Sequence, residues 1–231
     1  MKNVILDLCG GSGSWSKPYK DAGFDVRVIT LPKYDVTKTR FSNDYIWLGS
    51  GGPNIYCLVD IFRYADIYGI LVAPPCTEFS VAKHAELKHN TKPRDFAAGM
   101  EIVEACLQII WQVQIHAKLE FWALENPRGY LRRFLGIPKY TFYQWQFGAQ
   151  TVKATDIWGY FNLPTPTVKT KPVLDMHDHR NTKHYSSGAY PPEYRDYIYS
   201  LPSNQRRAAG RAITPAGFAK AFYRANSRRT A

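Results

Sequence analysis

Apolar positions along this chain follow two rhythms, and the rhythms alternate. Short runs at Val4-Ile5-Leu6-Asp7-Leu8, Phe24-Asp25-Val26-Arg27-Val28-Ile29, Ile70-Leu71-Val72-Ala73 and Phe121-Trp122-Ala123-Leu124 have the length of strands. Between them the spacing changes. Residues 16–22 read as a helix stopped by Gly23. Residues 94–118 set Ile102, Val103, Ala105, Cys106, Ile109, Ile110 and Val113 close to a helical repeat of about 3.6 residues. Farther on, residues 143–147 and 156–161 read as strands and 194–201 as a short helix. Thr214-Pro215 opens a last helix, with proline at its first position, that runs to Asn226. The segment 47–54, which holds Gly49, Gly51, Gly52 and Pro53, reads as a flexible loop, and 84–94 as a candidate mobile loop. Strand–helix alternation of this kind predicts an α/β fold built on a doubly wound, mostly parallel sheet.

Such a sheet gathers its chemistry at the carboxyl ends of its strands, and three of the runs end in unusual residues. The first leads into Cys9-Gly10-Gly11-Ser12-Gly13-Ser14-Trp15 and then a helix. Glycines let the backbone approach a ligand, and the helix start offers free N–H groups. No Gly-Lys-Ser/Thr follows, so the turn is not a P-loop, and its glycines miss the dinucleotide spacing. An adenosyl cofactor without a pyrophosphate fits better. A glycine-rich hairpin with no ligand is the plainer alternative, opposed by Asp7 at the strand end and by the flanking elements.

The third run leads into Ala73-Pro74-Pro75-Cys76-Thr77-Glu78-Phe79-Ser80. Two prolines stiffen the chain ahead of one thiol, so Cys76 is either a held nucleophile or a small residue beyond a strand that the prolines simply end. The fourth leads into Glu125-Asn126-Pro127-Arg128-Gly129. A helix separates this strand from the one before Cys76, so in a parallel sheet Glu125 and Cys76 project side by side. Glu125 then serves as a general acid, or merely caps a helix or pairs with Arg128.

In this order the segments resemble the motifs of cytosine-C5 DNA methyltransferases that use S-adenosyl-L-methionine, most of all the compact forms common in bacteriophage genomes. Asp7 to Gly13 is similar to the family's Asp-x-Phe-x-Gly-x-Gly loop, residues 75–80 to its Pro-Cys-Gln-x-Phe-Ser motif, and Glu125-Asn126-Pro127 to its Glu-Asn-Val motif. Gly210 to Phe218 resembles the last motif, whose helix returns beside the cofactor. The resemblance implies that Cys76 adds to C6 of a cytosine extruded from double-stranded DNA, and that Glu125 hydrogen-bonds N3. It implies a cofactor over Asp7, Leu8, Cys9, Gly10, Gly11, Gly13 and Trp15, with Asp35 and Val36 at the adenine and Pro74 in the pocket wall. Trp15 either stacks on the adenine or packs in the core. Ser80, Asn126, Lys153 and Thr155 fall where the family meets its substrate, and Lys153 either faces the thiolate or lies solvated. The chemistry asks for a lowered thiol pKa and a raised carboxyl pKa. There are departures: Thr77 replaces a glutamine, residues 151–155 keep one cation of the Gln-x-Arg-x-Arg motif, Arg211 replaces an asparagine, and no acid directly follows the second strand.

Composition narrows the partner. With 30 Lys and Arg against 19 Asp and Glu the net charge is +11, and arginines crowd the C-terminal end, from Arg195, Arg206, Arg207 and Arg211 to Arg228 and Arg229. A polyanion such as DNA suits that balance. Four cysteines show no paired spacing, so neither a zinc site nor a disulfide framework is indicated, and Cys57 and Cys106 read as small buried hydrophobes. His177-Asp178-His179 and His184 match no metal-site spacing and read as a polar loop. With no signal peptide and no apolar run of membrane length, the expectation is a soluble cytoplasmic protein with no membrane partner. One domain is expected: a core over 1–162, a short recognition-like insert over 163–202 and a returning helix over 203–231. An insert of about 40 residues is small for an independent reader of sequence, which points to relaxed recognition or help from a partner or second subunit. The same chemistry on RNA or a free cytosine nucleotide, and a non-catalytic DNA- or protein-binding relative, are the competing readings.

Overall fold

The apolar runs pair much as their alternation requires. In a computed structural model, which describes residues 3–52, 58–81, 93–149, 151–171 and 190–227, six strands form one mixed, mostly parallel sheet. Strand β1 (Val4–Leu8) lies between β2 (Asp25–Ile29) and β6 (Ile67–Val72), and β7 (Phe121–Pro127) lies beyond β6, all four parallel. Two antiparallel strands, β9 (Ala154–Tyr160) and then β8 (Tyr140–Tyr143), extend the sheet past β7.

Because successive side chains leave a strand on opposite sides, each central strand feeds two cores. Val4, Leu6 and Leu8 join one buried cluster and Ile5 the other; Ile70 and Val72 divide likewise from Leu71. The first cluster is covered by helix α2 (Phe96–His116), through Val103, Cys106, Ile110 and Val113. The second is covered by α1 (Lys17–Asp21) and the last helix, α6 (Ala216–Asn226), through Tyr19, Phe218 and Phe222. Each such buried side chain contributes roughly 1.5–3 kcal/mol of transfer free energy. At the centre Gly69 is required: a Cβ there would lie 2.4 Å from the Phe121 ring.

Three expectations need correcting. Where double winding would set a helix between β2 and β6, the chain forms an antiparallel sheet, β3 (Tyr34–Phe41), β4 (Tyr45–Ser50) and β5 (Leu58–Arg63). Much of segment 47–54 is therefore strand rather than loop, and Gly49 belongs there because a Cβ would meet Lys38 at 2.5 Å. Residues 143–147 are not one strand either. Tyr143 ends β8, and Gln144–Phe147 tighten into a 3₁₀ turn that Gly148 closes at φ 83°. Finally, α6 starts at Ala216, with Pro215 as its cap rather than its first residue.

Between β7 and β8 runs the one-turn helix α3 (Arg132–Leu135). Its Arg132 forms a bidentate pair with buried Asp156, Nε to Oδ2 at 2.6 Å and Nη2 to Oδ1 at 2.5 Å. Of the insert, Thr167 and Val168 donate backbone hydrogen bonds to the Gln146 carbonyl. Helices α4 (Pro192–Ser200) and α5 (Ser203–Ala212) are joined by Arg206, which donates to the Tyr199 and Leu201 carbonyls. Outside the described residues lie Pro53, Asn54, Cys57, most of 84–94, the 177–184 histidines, Arg228 and Arg229. Helix α2, at 21 residues and mean hydropathy 1.3, is long and apolar enough to cross a membrane by length and composition alone, while Val103, Cys106, Ile110 and Val113 are buried in the core.

Candidate active site

Past β6 the chain keeps contact with β1, since the Ala73 N–H donates to the Leu8 carbonyl at 2.9 Å. After the two prolines it turns tightly, and the Cys76 carbonyl accepts from the Phe79 and Ser80 N–H groups at 3.0 and 2.8 Å. Phe79 is fully buried and anchors the turn. Its carbonyl accepts from the Tyr130 N–H at 2.8 Å, an approach that leaves no room for a side chain at Gly129. At the end of β7, Asn126 Nδ2 donates to the Pro74 carbonyl at 3.1 Å. These bonds fasten the loop carrying Cys76 to the strand end carrying Glu125.

The two groups sense each other. Burial pushes the Glu125 carboxyl above its ordinary pKa, Lys153 opposes the shift, and Asp156 adds to it. Burial also pushes the Cys76 thiol up; Lys153 and Arg211 pull it down, and Glu125 raises it further. The carboxyl shift has the expected sign. The thiol shift does not, because loss of water outweighs two cations, and the expectation of a lowered Cys76 pKa is corrected. Protonating Glu125 removes one of the influences that hold the thiol high, so the two titrations are linked.

Beside Glu125, a cavity of about 10 Å³ is lined by Gln144, Lys153, Ile213, Thr214 and Phe218. That is room for about one water. The link between α5 and α6 closes it: Lys153 Nζ donates to the Arg211 carbonyl at 3.4 Å, and the Thr214 N–H donates to Ser14 Oγ at 2.8 Å. Anything larger than a water enters only if this link shifts.

The glycine turn after β1 needs its glycines. Cys9, Gly11 and Gly13 have φ of 57°, 54° and 68°, the left-handed region. A Cβ on Gly10 would lie 2.3 Å from the Asp7 carboxyl carbon. Asp7 is fully buried; its Oδ2 accepts from Ser16 Oγ at 2.5 Å, while its Oδ1 has no partner. Burial pushes this carboxyl up to about 7, against the pull of the Ser16 hydrogen bond. The glycine turn thus encloses a buried carboxylate with one unused acceptor oxygen, and the space a Cβ would take at Gly10, Gly11 and Gly13 borders Asp7, Tyr197 and Val28. On the far side of the turn, Ser12, Gly13, Ser16, Val28, Glu193 and Tyr194 line a cleft of about 340 Å³.

No protein-family model matches the chain, and no curated protein matches it.

The remaining expected site residues divide by exposure. Trp15 is 2% exposed, edge-on to Phe222 at 5.3 Å, so it belongs to the core and offers no ring face to a ligand. Leu8 and Val36 are buried too, which leaves only their backbone for a cofactor. Asp35 lies on β3, where Oδ1 accepts from the Thr37 N–H and hydroxyl at 3.0 and 2.6 Å. Among the described residues no hydrogen bond or ion pair brings it to the glycine turn. Cys9 Sγ is 3.9 Å from Cys106 Sγ, a contact between the turn and α2. Thr155 and Asn126 are buried, and Thr155 Oγ1 and Asn126 Oδ1 have no partner; Ser80 forms a bridge with Gly129.

Three residues at the site carried no such signal in the sequence, and a fourth, Arg211, stood out only as a departure within the last motif. Gln144 lines the pocket from a turn that reads as strand. Tyr197, in the insert, sets its hydroxyl 3.2 Å from where a Gly11 Cβ would lie. Arg211 acts on Cys76. Arg94 grips the Cys76 loop. Gln144, Tyr197 and Arg211 arrive from distant parts of the chain, and Arg94 from 14 and 16 residues beyond the carbonyls it holds, so no short motif marks their contacts.

Proposed function

We propose that this protein methylates C5 of cytosine in double-stranded DNA, with S-adenosyl-L-methionine as methyl donor. One observation carries the reading: Asn126, next to Glu125, ties the end of β7 to the loop carrying Cys76, and one cation, Lys153, acts on both the thiol and the carboxyl. The backbone of Cys9 to Gly13, with Asp7 beneath, would hold the donor, which supplies an electrophilic methyl group.

The residues present supply the rest. Cytosine C5 is a poor nucleophile until C6 is attacked. Cys76, as thiolate, adds to C6 and pushes electron density to C5. Glu125, whose burial favours its protonated form, would donate a hydrogen bond at N3 and neutralise charge developing on the ring. Lys153 and Arg211 lower the cost of the thiolate, against the burial that favours the thiol. After methylation the C5 proton leaves to a base, the C6–S bond breaks, and Cys76 recovers its electron pair as thiolate. The target base must leave the stack, and the link over residues 211–214 must yield to admit it. The net charge of +11 supplies attraction to the phosphates, which weakens as salt rises.

The test incubates purified protein with labelled methyl donor and, separately, plasmid DNA, RNA and cytidine nucleotides, and then maps modified bases. Label at cytosine C5 of DNA is the expected result. Label only on RNA or nucleotide moves the same chemistry to another substrate. No label in any arm leaves a binding protein that does not turn over.

A further inference from the structure

The first residue of α2's approach makes more contacts than a helix start needs. Arg94 Nη1 donates to the Glu78 carbonyl at 2.7 Å, and Nη2 to the Ser80 carbonyl at 2.9 Å. The same guanidinium lies 4.8 Å from the centre of the Tyr130 ring. Tyr130 in turn donates its backbone N–H to the Phe79 carbonyl, so the stacked pair binds three consecutive carbonyls of the loop that carries Cys76. The next residue repeats the attachment. The Asp95 N–H donates to Glu78 Oε2 at 2.8 Å, while Asp95 Oδ1 caps α2 by accepting from the Ala98 N–H at 2.9 Å.

We infer that Arg94 is the positioning residue of the nucleophile, holding the Cys76 turn in register with Glu125 through the carbonyls of Glu78 and Ser80. The inference rests on the reading of Cys76 as nucleophile. Two features separate it from plain capping. Capping of α2 is already supplied by Asp95. The planar fork that reaches two carbonyls while stacking on an aromatic ring is specific to arginine; an ammonium has three donors but neither the fixed planar fork nor a flat face to stack. The loop is therefore fixed from both sides, by Asn126 on Pro74 ahead of Cys76 and by Arg94 on Glu78 and Ser80 behind it.

The experiment compares wild type, Arg94→Met and Arg94→Lys in the full chain. Methyl transfer to DNA is read as kcat and KM, and alkylation of Cys76 by iodoacetamide against pH is read by peptide mass spectrometry. The expected results are a kcat lower by about 100-fold in Arg94→Met and about tenfold in Arg94→Lys, with KM for DNA within about threefold, as loss of a near-attack geometry gives. Cys76 alkylation at fixed pH changes in both variants. If Arg94→Met does not fold, Arg94→Lys carries the test alone. An unchanged kcat in Arg94→Lys, or a loss confined to KM, overturns the proposal. If wild type transfers no methyl group, the proposed reaction fails separately. Alkylation then decides: equal Cys76 profiles in wild type and Arg94→Lys overturn the positioning role, and different ones support it.

Discussion

Two carboxylates lie near the carboxyl ends of strands in one sheet, Asp7 on β1 and Glu125 on β7, and loss of water raises both. Their neighbours differ. Asp7 is enclosed by its own glycine turn, with the Ser16 hydroxyl as its hydrogen-bond donor and no cation among the groups that shift it. Glu125 faces a cation, a thiol and a cavity. The same burial thus raises a carboxyl that shapes a loop in one place and one beside a cation, a thiol and a cavity in the other. Desolvation alone does not mark a catalytic acid; the titratable company it keeps does.

The sharpest way to break this contrast is to remove the thiol beside Glu125, and then each carboxyl in turn. Cys76→Ser abolishes methyl transfer while cofactor binding stays near normal, checked by calorimetry with the donor. Glu125→Gln lowers the transfer rate by about 100- to 10,000-fold with little change in DNA affinity, the range a general acid supplies. A Glu125→Gln protein with full rate removes Glu125 from the chemistry and leaves the two carboxylates alike.

Asp7→Asn acts on stability instead, and the sign follows from its pKa. The carboxyl titrates near 7 in the folded protein against an ordinary 3.8, so the folded state keeps this proton to higher pH. The stability tied to the proton is whole below about pH 4 and is lost as pH rises through about 7, on the order of 4 kcal/mol across that window. Urea unfolding at pH 5 and pH 8 should show wild type losing more stability than Asp7→Asn. Equal losses would mean that Asp7 is ionised throughout. The Glu125 carboxyl shifts in the same direction, so its substitution flattens the same slope.

What the sequence revealed of these two acids, and what it hid, has a physical cause. Buried strands write themselves as apolar runs, so β1, β6 and β7 and the loops after them were legible, and with them Asp7, Cys76 and Glu125. Helix α2 was legible for the same reason, its buried face recurring every turn. The antiparallel sheet was not, because one side of it is solvated. Tyr34-Asp35-Val36-Thr37-Lys38 mixes polar and apolar residues, and Gly49 reads as a loop although Lys38 packing demands it. Trp15 sat in a ligand-like turn, and only the distant α6 shows that Phe218 and Phe222 claim its ring. Arg94, Gln144, Tyr197 and Arg211 reach the site by tertiary contacts that no short pattern encodes.

Gly10→Ala sharpens the Asp7 side. The added methyl would sit 2.3 Å from the carboxyl carbon and 2.4–2.5 Å from its oxygens, on a side chain that Ser16 already holds. A loss of about 1–3 kcal/mol is expected, as for other overpacked sites. In a double-mutant cycle, Asp7→Ala should recover most of it, since the clash partner is gone. Additive losses would show that the turn, not Asp7, resents the methyl group.

Lys153→Met gives the smallest effect and the finest test of the Glu125 side. Among the described residues its Nζ donates one hydrogen bond, to the Arg211 carbonyl at 3.4 Å, so stability should change by no more than about 0.5 kcal/mol. Its charge, however, is the largest influence lowering both Cys76 and Glu125. Without it both groups titrate higher, and the pH midpoint for Cys76 alkylation moves up. Asp7, which does not include Lys153 among its influences, keeps its stability profile. A Cys76 midpoint that stays in place or falls would leave Arg211 as the sole cation on the thiol, and Glu125 would then lack the neighbour that distinguishes it from Asp7.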